Sequence, residues 1–165
     1  MTPKQETFKH ILRVRHYIYQ FVKAFLNRAD DHDASKLESP EAEMFQDVTK
    51  QLKGTTYGSP EYNAVLKGML GQALQHHYDH NRHHPEHNEE GINGMNLVDI
   101  FEMFCDWRAA TERHADGDIF KSIEINTERF KMSEQLASIF KNTAKLFDNP
   151  EGILDEKDKK EIRSS

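Results

Sequence analysis

Residues 7–28, TFKHILRVRHYIYQFVKAFLNR, repeat apolar side chains at helical intervals and contain neither glycine nor proline. Apolar residues three and four positions apart share one face of an α-helix, because successive residues turn by about 100°. The residues that form this face are Ile11, Val14, Ile18, Phe21, Val22 and Phe25. The stretch therefore predicts that the fold begins with a long amphipathic helix.

The rest of the chain follows the same period, and no segment alternates long enough to predict a strand. Further helices are predicted at about 40–52, 61–79, 96–114, 119–130 and 133–147. Ser39-Pro40 and Ser59-Pro60 suit helix starts, and Ser133 suits the N-cap of the last helix. These elements predict an all-α fold, a compact single-domain helical bundle over residues 1–149. Residues 150–165 are predicted to form a charged, loose C-terminal tail.

Composition excludes several classes of protein. The chain has 165 residues, a net charge of −6 and one cysteine, Cys105, so neither a general nucleic-acid binder nor a disulfide framework is expected. No apolar run reaches the length of a membrane span, and the N-terminal residues lack the apolar segment of a secretory signal. We therefore expect a cytoplasmic protein without membrane contact, and the charge leaves open a small anionic ligand held by a few cations or by a metal.

A histidine-rich segment interrupts the helical pattern. Residues 76–87, HHYDHNRHHPEH, hold six of the ten histidines of the chain. One interpretation is a solvated polar loop with incidental histidines. The other is that the histidines face a metal and an anionic substrate, because neutral imidazole is a common metal ligand. Pro85 favours an extended backbone at His84, so neighbouring histidines of this segment need not act together.

Other ionisable residues are predicted to point inward. His10 shares the apolar face of the first helix, as a core histidine or as a ligand. On the predicted fourth helix, Asp99, Glu102 and Asp106 form one narrow acidic stripe, which faces either solvent or a cation. Between the first two helices, the segment DDHDASK at 30–36 places a histidine beside a carboxylate, with a lysine three residues further on.

This order of residues resembles the HD superfamily of metal-dependent phosphohydrolases. HILRV at residues 10–14 is similar to a first-helix motif of that superfamily, HDASK at 32–36 to its central His-Asp motif, and CDWRAAT at 105–111 to the stretch that carries its last ligand. Only 21 residues separate His10 from His32, fewer than in typical members. More narrowly, HDASK, NRHHPEH, CDWRAA and KSIEIN resemble a small, mostly phage-encoded family of unknown function.

The resemblance implies an HD-type bundle that binds one or two divalent transition metal ions (Mn, Fe, Co, Ni or Zn). The implied metal ligands are His10, His32, Asp33, His83, His84 and Asp106, with Asp99 and His77 as alternates. Catalytic roles are implied for Asp33, Lys36 and Glu102, and residue type suggests substrate contacts from Lys36, Arg82, Tyr57 and Lys121. The implied activity is hydrolysis of a phosphoester in a nucleotide or nucleotide-derived molecule by a metal-activated water. A non-catalytic nucleotide- or protein-binding module and a di-iron oxygenase of HD type are the alternatives.

Overall fold

Side-chain caps and apolar periodicity define where the helices of this protein begin and end. The computed structural model describes residues 1–52, 60–113 and 117–148. Over these ranges it contains six α-helices and no strand, which confirms the predicted all-α fold. The helices are α1 (Pro3–Asp31), α2 (Glu41–Leu52), α3 (Pro60–His80), α4 (Leu97–Thr111), α5 (Ile119–Phe130) and α6 (Glu134–Asp148). Short 3-10 turns cover Ala34–Leu37, Pro85–His87 and Gly91–Gly94.

Polar side chains satisfy free backbone N–H groups at several helix starts. Thr2 and Gln5 form a capping box at the start of α1, although the sequence predicted this helix only from residue 7. Asp118 accepts from the backbone of Phe120 and Lys121 at the start of α5. Ser133 accepts from the backbone of Leu136, which confirms its predicted capping role for α6.

The chain divides into two units, Met1–Met103 and Phe104–Ser165, and the boundary falls within α4. In the first unit, α2 packs against α3, and both contact the turn at Ala34–Leu37. Fully or nearly buried side chains of this unit include several ionisable ones: Glu41, His77, His83, Asp99 and Glu102. Charged side chains are rarely buried unless they are paired or bind a metal, so this interior needs an electrostatic explanation.

The second unit has an apolar interior. Helices α5 and α6 pack against each other, and Phe104 of α4 lies with its ring centroid 5.6 Å from that of Phe140. Trp107 contacts the same phenylalanine edge-on. The buried apolar side chains of this unit are Phe104, Ile119, Ile123, Met132, Phe140 and Ala144.

Two predictions on organisation are left open. The proposed tail, 150–165, lies outside the residues that the structure describes, and the single domain over 1–149 stays a prediction. Among the described residues, every helix is too short or too polar to cross a bilayer.

Candidate metal centre

The centre of the site is the junction that follows α1. His32 is the C-cap residue of this helix, and Asp33 has φ 54° and ψ 18°, the left-handed conformation. Aspartate adopts this conformation more readily than most residues, because its short polar side chain forms local hydrogen bonds. The reversal of chain direction brings Nε2 of His32 to 3.6 Å from Oδ2 of Asp33. Adjacent residues in the sequence thus face a common space.

Histidines from the end of α3 and the following loop converge on the same carboxylate. Oδ1 of Asp33 lies 3.4 Å from Nε2 of His77 and 3.6 Å from Nε2 of His83. Nε2 of His84 lies 2.9 Å from Nε2 of His77. These four residues offer ligand atoms that all lie within 4.8 Å of one another, so they could hold a metal ion. The donor set of one carboxylate and three imidazoles suits Mn, Fe, Co, Ni and Zn.

Atoms without partners support the same interpretation. Oδ1 of Asp33 and Nε2 of His83 are buried and have no hydrogen-bond partner. A buried polar atom that is left without a partner costs about 1–3 kcal/mol, and more when it is charged. The burial of these two atoms, which face each other, fits a cation between them.

Carboxylates contact Nδ1 of the imidazole rings, the nitrogen on the side away from Asp33. Nδ1 of His32 lies 2.9 Å from Oε1 of Glu102, and Nδ1 of His77 lies 3.1 Å from Oε2 of Glu41. Nδ1 of His83 also lies 3.1 Å from Oε1 of Glu102. A carboxylate next to Nδ1 favours the proton on that nitrogen and leaves the lone pair of Nε2 free for a metal. His32, His83 and Glu102 themselves form a second group that could hold a metal ion.

Arg28 of α1 neutralises the acids of α4. Its Nη1 donates to Oε2 of Glu102 at 2.6 Å and to Oδ1 of Asp99 at 3.0 Å. Burial by itself raises the pKa of Glu102, but hydrogen bonds from His32 and Arg28, together with the proximity of His83, outweigh it and lower the pKa to about 2. Glu102 is therefore a carboxylate at neutral pH, and its hydrogen bonds orient neighbouring side chains.

Asp99, the predicted alternate ligand, holds arginines instead of facing the histidines. Besides Arg28, it accepts from Arg82 at 3.3 Å and from the backbone N–H of Asn96 at 3.1 Å. The side chain is fully buried, and both of its oxygens accept hydrogen bonds. The acidic stripe of α4 is thus not a solvent-facing strip in the first unit, because Asp99 and Glu102 are both buried.

Glu41 is a central residue of the site that the sequence analysis missed. It is fully buried in the first turn of α2, and its two oxygens face Nδ1 of His76, at 2.7 Å, and Nδ1 of His77. Burial raises the pKa of Glu41, but hydrogen bonds from His76 and Ser35 outweigh it and keep the pKa below its usual value. Asn81 lies beside these residues, and its amide donates to Oγ of Ser35 at 2.8 Å.

Charge and burial favour the neutral form of His77 and His84. Burial, and then the proximity of His83 and His77, lower the pKa of His84 to about 3. Burial and the positive charge of Lys36 lower the pKa of His77. Lys36 donates to Oδ2 of Asp33 at 2.6 Å, and this bond outweighs the effect of burial, so the pKa of the carboxyl is lowered. Neutral imidazole and ionised carboxylate are the forms that bind metals.

The predicted interior position of His10 is wrong. His10 was expected to lie in the interior, but the structure places it on the exposed surface of α1, none of whose residues is buried. At 1.5 Å per residue it lies about 33 Å along this helix from His32. The apolar pattern identified a face of the helix but could not show whether another part of the chain covers it, and at this point the side chains of α1 are exposed. His10 is therefore not a ligand of this centre within one chain.

The remaining predicted residues are distributed as follows. His32, Asp33, His83 and His84 come together as the sequence suggested, and the alternate His77 joins them. Lys36 and Arg82 are partly exposed beside them. Asp106 is half-buried on α4, one turn after Glu102, and Lys121 is exposed on α5; both belong to the second unit. Tyr57 lies outside the described residues. The catalytic and substrate-binding roles stay predictions.

Comparisons with known proteins give one match. No curated protein and no solved structure matches the chain. A family model matches residues 2–147, a range that includes every residue of the histidine and carboxylate cluster described above. The match covers far more than half of the sequence, so the chain belongs to a family of unknown function, DUF5662.

Proposed function

We propose that this protein is a metal-dependent phosphohydrolase of HD type, which hydrolyses a phosphoester in a nucleotide or nucleotide-derived small molecule. The observation that carries the proposal is the convergence of three imidazole nitrogens on Asp33, whose Oδ1 is buried without a hydrogen-bond partner. The His-Asp pair at the end of a helix, followed by later histidines, is the arrangement that the resemblance to the HD superfamily implies.

The residues present fit a divalent metal. Asp33, His77, His83 and His84 would hold one ion, and Nε2 of His32 faces the same carboxylate. A metal in this position supplies an activated water at neutral pH and polarises a phosphoryl oxygen. The first unit provides this chemistry with fixed ligands, because Glu41 and Glu102 orient the imidazole rings from behind.

Charge balance at the site favours an anionic substrate. Four carboxylates (Asp33, Glu41, Asp99 and Glu102) face three cationic side chains (Arg28, Lys36 and Arg82), which leaves one net negative charge when the histidines are neutral. A divalent cation would reverse this charge to one net positive. A phosphoryl group would then be attracted, whereas a metal-free site would repel it.

Lys36 is the residue placed best to contact a phosphoryl oxygen. Its side chain is 40% exposed, and Nζ lies 2.6 Å from Oδ2 of Asp33, so it reaches both solvent and the ligand carboxylate. Arg82 is 47% exposed beside Asp99 and offers a second cation. We assign Lys36 to bind the phosphoryl oxygens and to neutralise charge as the ester bond breaks.

The test is hydrolysis by the purified full chain. Nucleotides, cyclic nucleotides and simple aryl phosphoesters are assayed with added Mn²⁺, for the wild type and for His32→Ala, Asp33→Ala and Lys36→Ala. His16→Ala is the matched control, because His16 is exposed on α1. We expect the first two variants to lose activity, Lys36→Ala to raise KM and the control to behave as wild type.

Two results would contradict the proposal. One is a fully metal-loaded protein that is inactive on the whole panel, which would favour a binding module. The other is iron with visible absorption in aerobically purified protein without phosphoester hydrolysis, which would favour an oxygenase.

A further inference from the structure

Helix α1 leaves an unusually large apolar area exposed. None of its residues is buried, and ten of its apolar side chains are between 42% and 62% exposed. They are Phe8, Ile11, Leu12, Val14, Tyr17, Ile18, Tyr19, Phe21, Val22 and Leu26. At roughly 100 Å² each they offer about 1,000 Å², whereas a stable interface buries about 800 Å² per partner. A helix that is apolar over most of its circumference is normally buried on both sides.

Among the described residues of the first unit, the contacts made by α1 involve its C-terminal part, on one side. Phe25 lies with its ring centroid 4.9 Å from that of Phe101, and Arg28 pairs with the acids of α4. The other side of α1 carries a seam of six residues spaced alternately four and three apart: Phe8, Leu12, Arg15, Tyr19, Val22 and Leu26. At about 100° per residue, this seam is turned roughly a third of a circle away from Phe25 and Arg28.

The spacing of the seam is that of a coiled coil. Helices that pair over several turns repeat apolar residues every 3.5 positions on average, in alternating steps of three and four. Arg15 is the one polar member, and its guanidinium donates to the hydroxyl of Tyr19 at 3.3 Å within the same seam. A cation here can lie over the aromatic ring of a facing helix.

The seam is self-complementary when reversed. In such a pair, residues whose numbers add up to 34 would face each other across a two-fold axis at the height of position 17 along the helix. Phe8 then opposes Leu26 of the second copy, and Leu12 opposes its Val22. Arg15 opposes Tyr19 of that copy, so the charge meets a ring instead of another charge. Every member of the seam thereby finds a member of the same seam, as an isologous interface requires.

Charges beside the seam favour the same antiparallel arrangement. Lys4 and Asp30 flank the seam at opposite ends of α1, and their numbers also add up to 34. A parallel pair would instead place Arg15 opposite Arg15 of the second copy, which costs energy through like-charge repulsion. The helix dipoles oppose each other favourably in the antiparallel pair as well.

We propose that α1 is a dimerisation helix, which pairs antiparallel with α1 of a second copy along the seam from Phe8 to Leu26. The occupant of this apolar face is therefore a second copy of the chain. The inference does not depend on the proposed hydrolase activity, because the seam and the metal centre share no residue.

The test is the molar mass of the full chain in solution by light scattering and sedimentation. The dimer has a mass of about 39 kDa, twice the 19.3 kDa of one chain. Leu12→Glu and Val22→Glu place two unpaired charges in the dimer, and we expect each to raise the dimer dissociation constant by at least about 100-fold. Gln20→Glu is the matched control, because it adds the same charge on the polar face, and it should leave the dimer intact.

A charge exchange tests the orientation. Lys4→Glu and Asp30→Lys should each weaken the dimer by roughly threefold to tenfold, and the double variant should restore it. Circular dichroism of each variant verifies that α1 stays helical.

A wild-type monomer at all concentrations overturns the proposal. If α1 amides of that monomer are protected from hydrogen exchange, the cover comes from the chain itself, including residues 149–165, and the proposal is equally overturned. Two further results would overturn the proposal. One is dissociation of the dimer by Gln20→Glu to the same degree as by Leu12→Glu, and the other is a double charge variant that dimerises more weakly than either single variant.

Discussion

Glu41→Gln tests whether buried carboxylates behind the histidines prepare the site for a metal. Glu41 accepts from Nδ1 of His76 at 2.7 Å and from Nδ1 of His77 at 3.1 Å, and it is fully buried. Glutamine keeps the size of the side chain but replaces one acceptor by an NH₂ group that faces a ring N–H. One of the two imidazoles must then lose its partner or move its proton to Nε2, where the metal would bind.

The expected magnitude follows from these contacts. Loss of one buried charge-assisted hydrogen bond costs about 1–3 kcal/mol of stability in the metal-free protein. Loss of a carboxylate behind a ligating histidine weakens metal binding by about 10–100-fold, or about 1.4–2.7 kcal/mol. The two quantities are independent: the first is the free energy of unfolding of the metal-free chain, and the second is the additional stabilisation that the carboxylate gives His77 when a metal is bound.

The measurements are calorimetric titration with Mn²⁺ or Zn²⁺, denaturant unfolding of the metal-free chain, and ¹⁵N chemical shifts of the imidazole nitrogens of His77. Glu43→Gln is the control, because Glu43 lies on the exposed face of the same helix, two residues away. Unchanged affinity and an unchanged tautomer in Glu41→Gln would refute the reasoning. So would an equal loss in Glu43→Gln, which would point to a general effect of charge.

Three further substitutions test other parts of the centre. Asp33→Asn should keep the left-handed backbone at φ 54°, which asparagine tolerates, yet lose metal by elemental analysis; full metal loading would contradict the assignment of this carboxylate. His10→Ala should bind metal like wild type and His84→Ala should not, and equal binding by the two variants would contradict the positions described for these histidines. Glu102→Gln should reduce the loss of stability of the metal-free chain at acid pH. The pKa of Glu102 is lowered to about 2 in the folded state and is near 4.5 in the unfolded state. The ionised carboxylate of the wild type therefore stabilises the fold fully above pH 4.5, and this stabilisation disappears as the pH falls through 2. Wild type should lose up to about 3 kcal/mol more than the variant in this window in urea titrations at fixed pH, and parallel curves would show that Glu102 contributes no such term.

The sequence allowed the helices and part of the candidate metal centre to be predicted, because both depend on local patterns. The order of the helices followed from apolar periodicity and from Ser, Asp and Pro at helix starts. His32, Asp33, His83 and His84 could be identified because ligands of this kind come in short, recognisable segments.

The residues that escaped prediction act across long distances in the chain. Glu41 is an ordinary acid in the first turn of a helix until the fold brings it to His77, 36 positions later. Arg28 belongs to the charged end of α1, and only its contact with α4 shows that it neutralises Glu102. His10 was misplaced for the opposite reason, since a face that is apolar by pattern does not reveal what, if anything, covers it.

The contrast between the interiors of the two units has a consequence for how this protein loses its structure. Described side chains buried in the first unit are largely ionisable, whereas those of the second are aromatic and aliphatic. Chelators and acid should therefore melt the first unit at conditions that leave the second folded, while urea attacks both through their exposed backbone and apolar groups. Unfolding would then proceed in two separable steps, and, if the first unit binds a metal as proposed, a chelator would make the first unit unfold before the second.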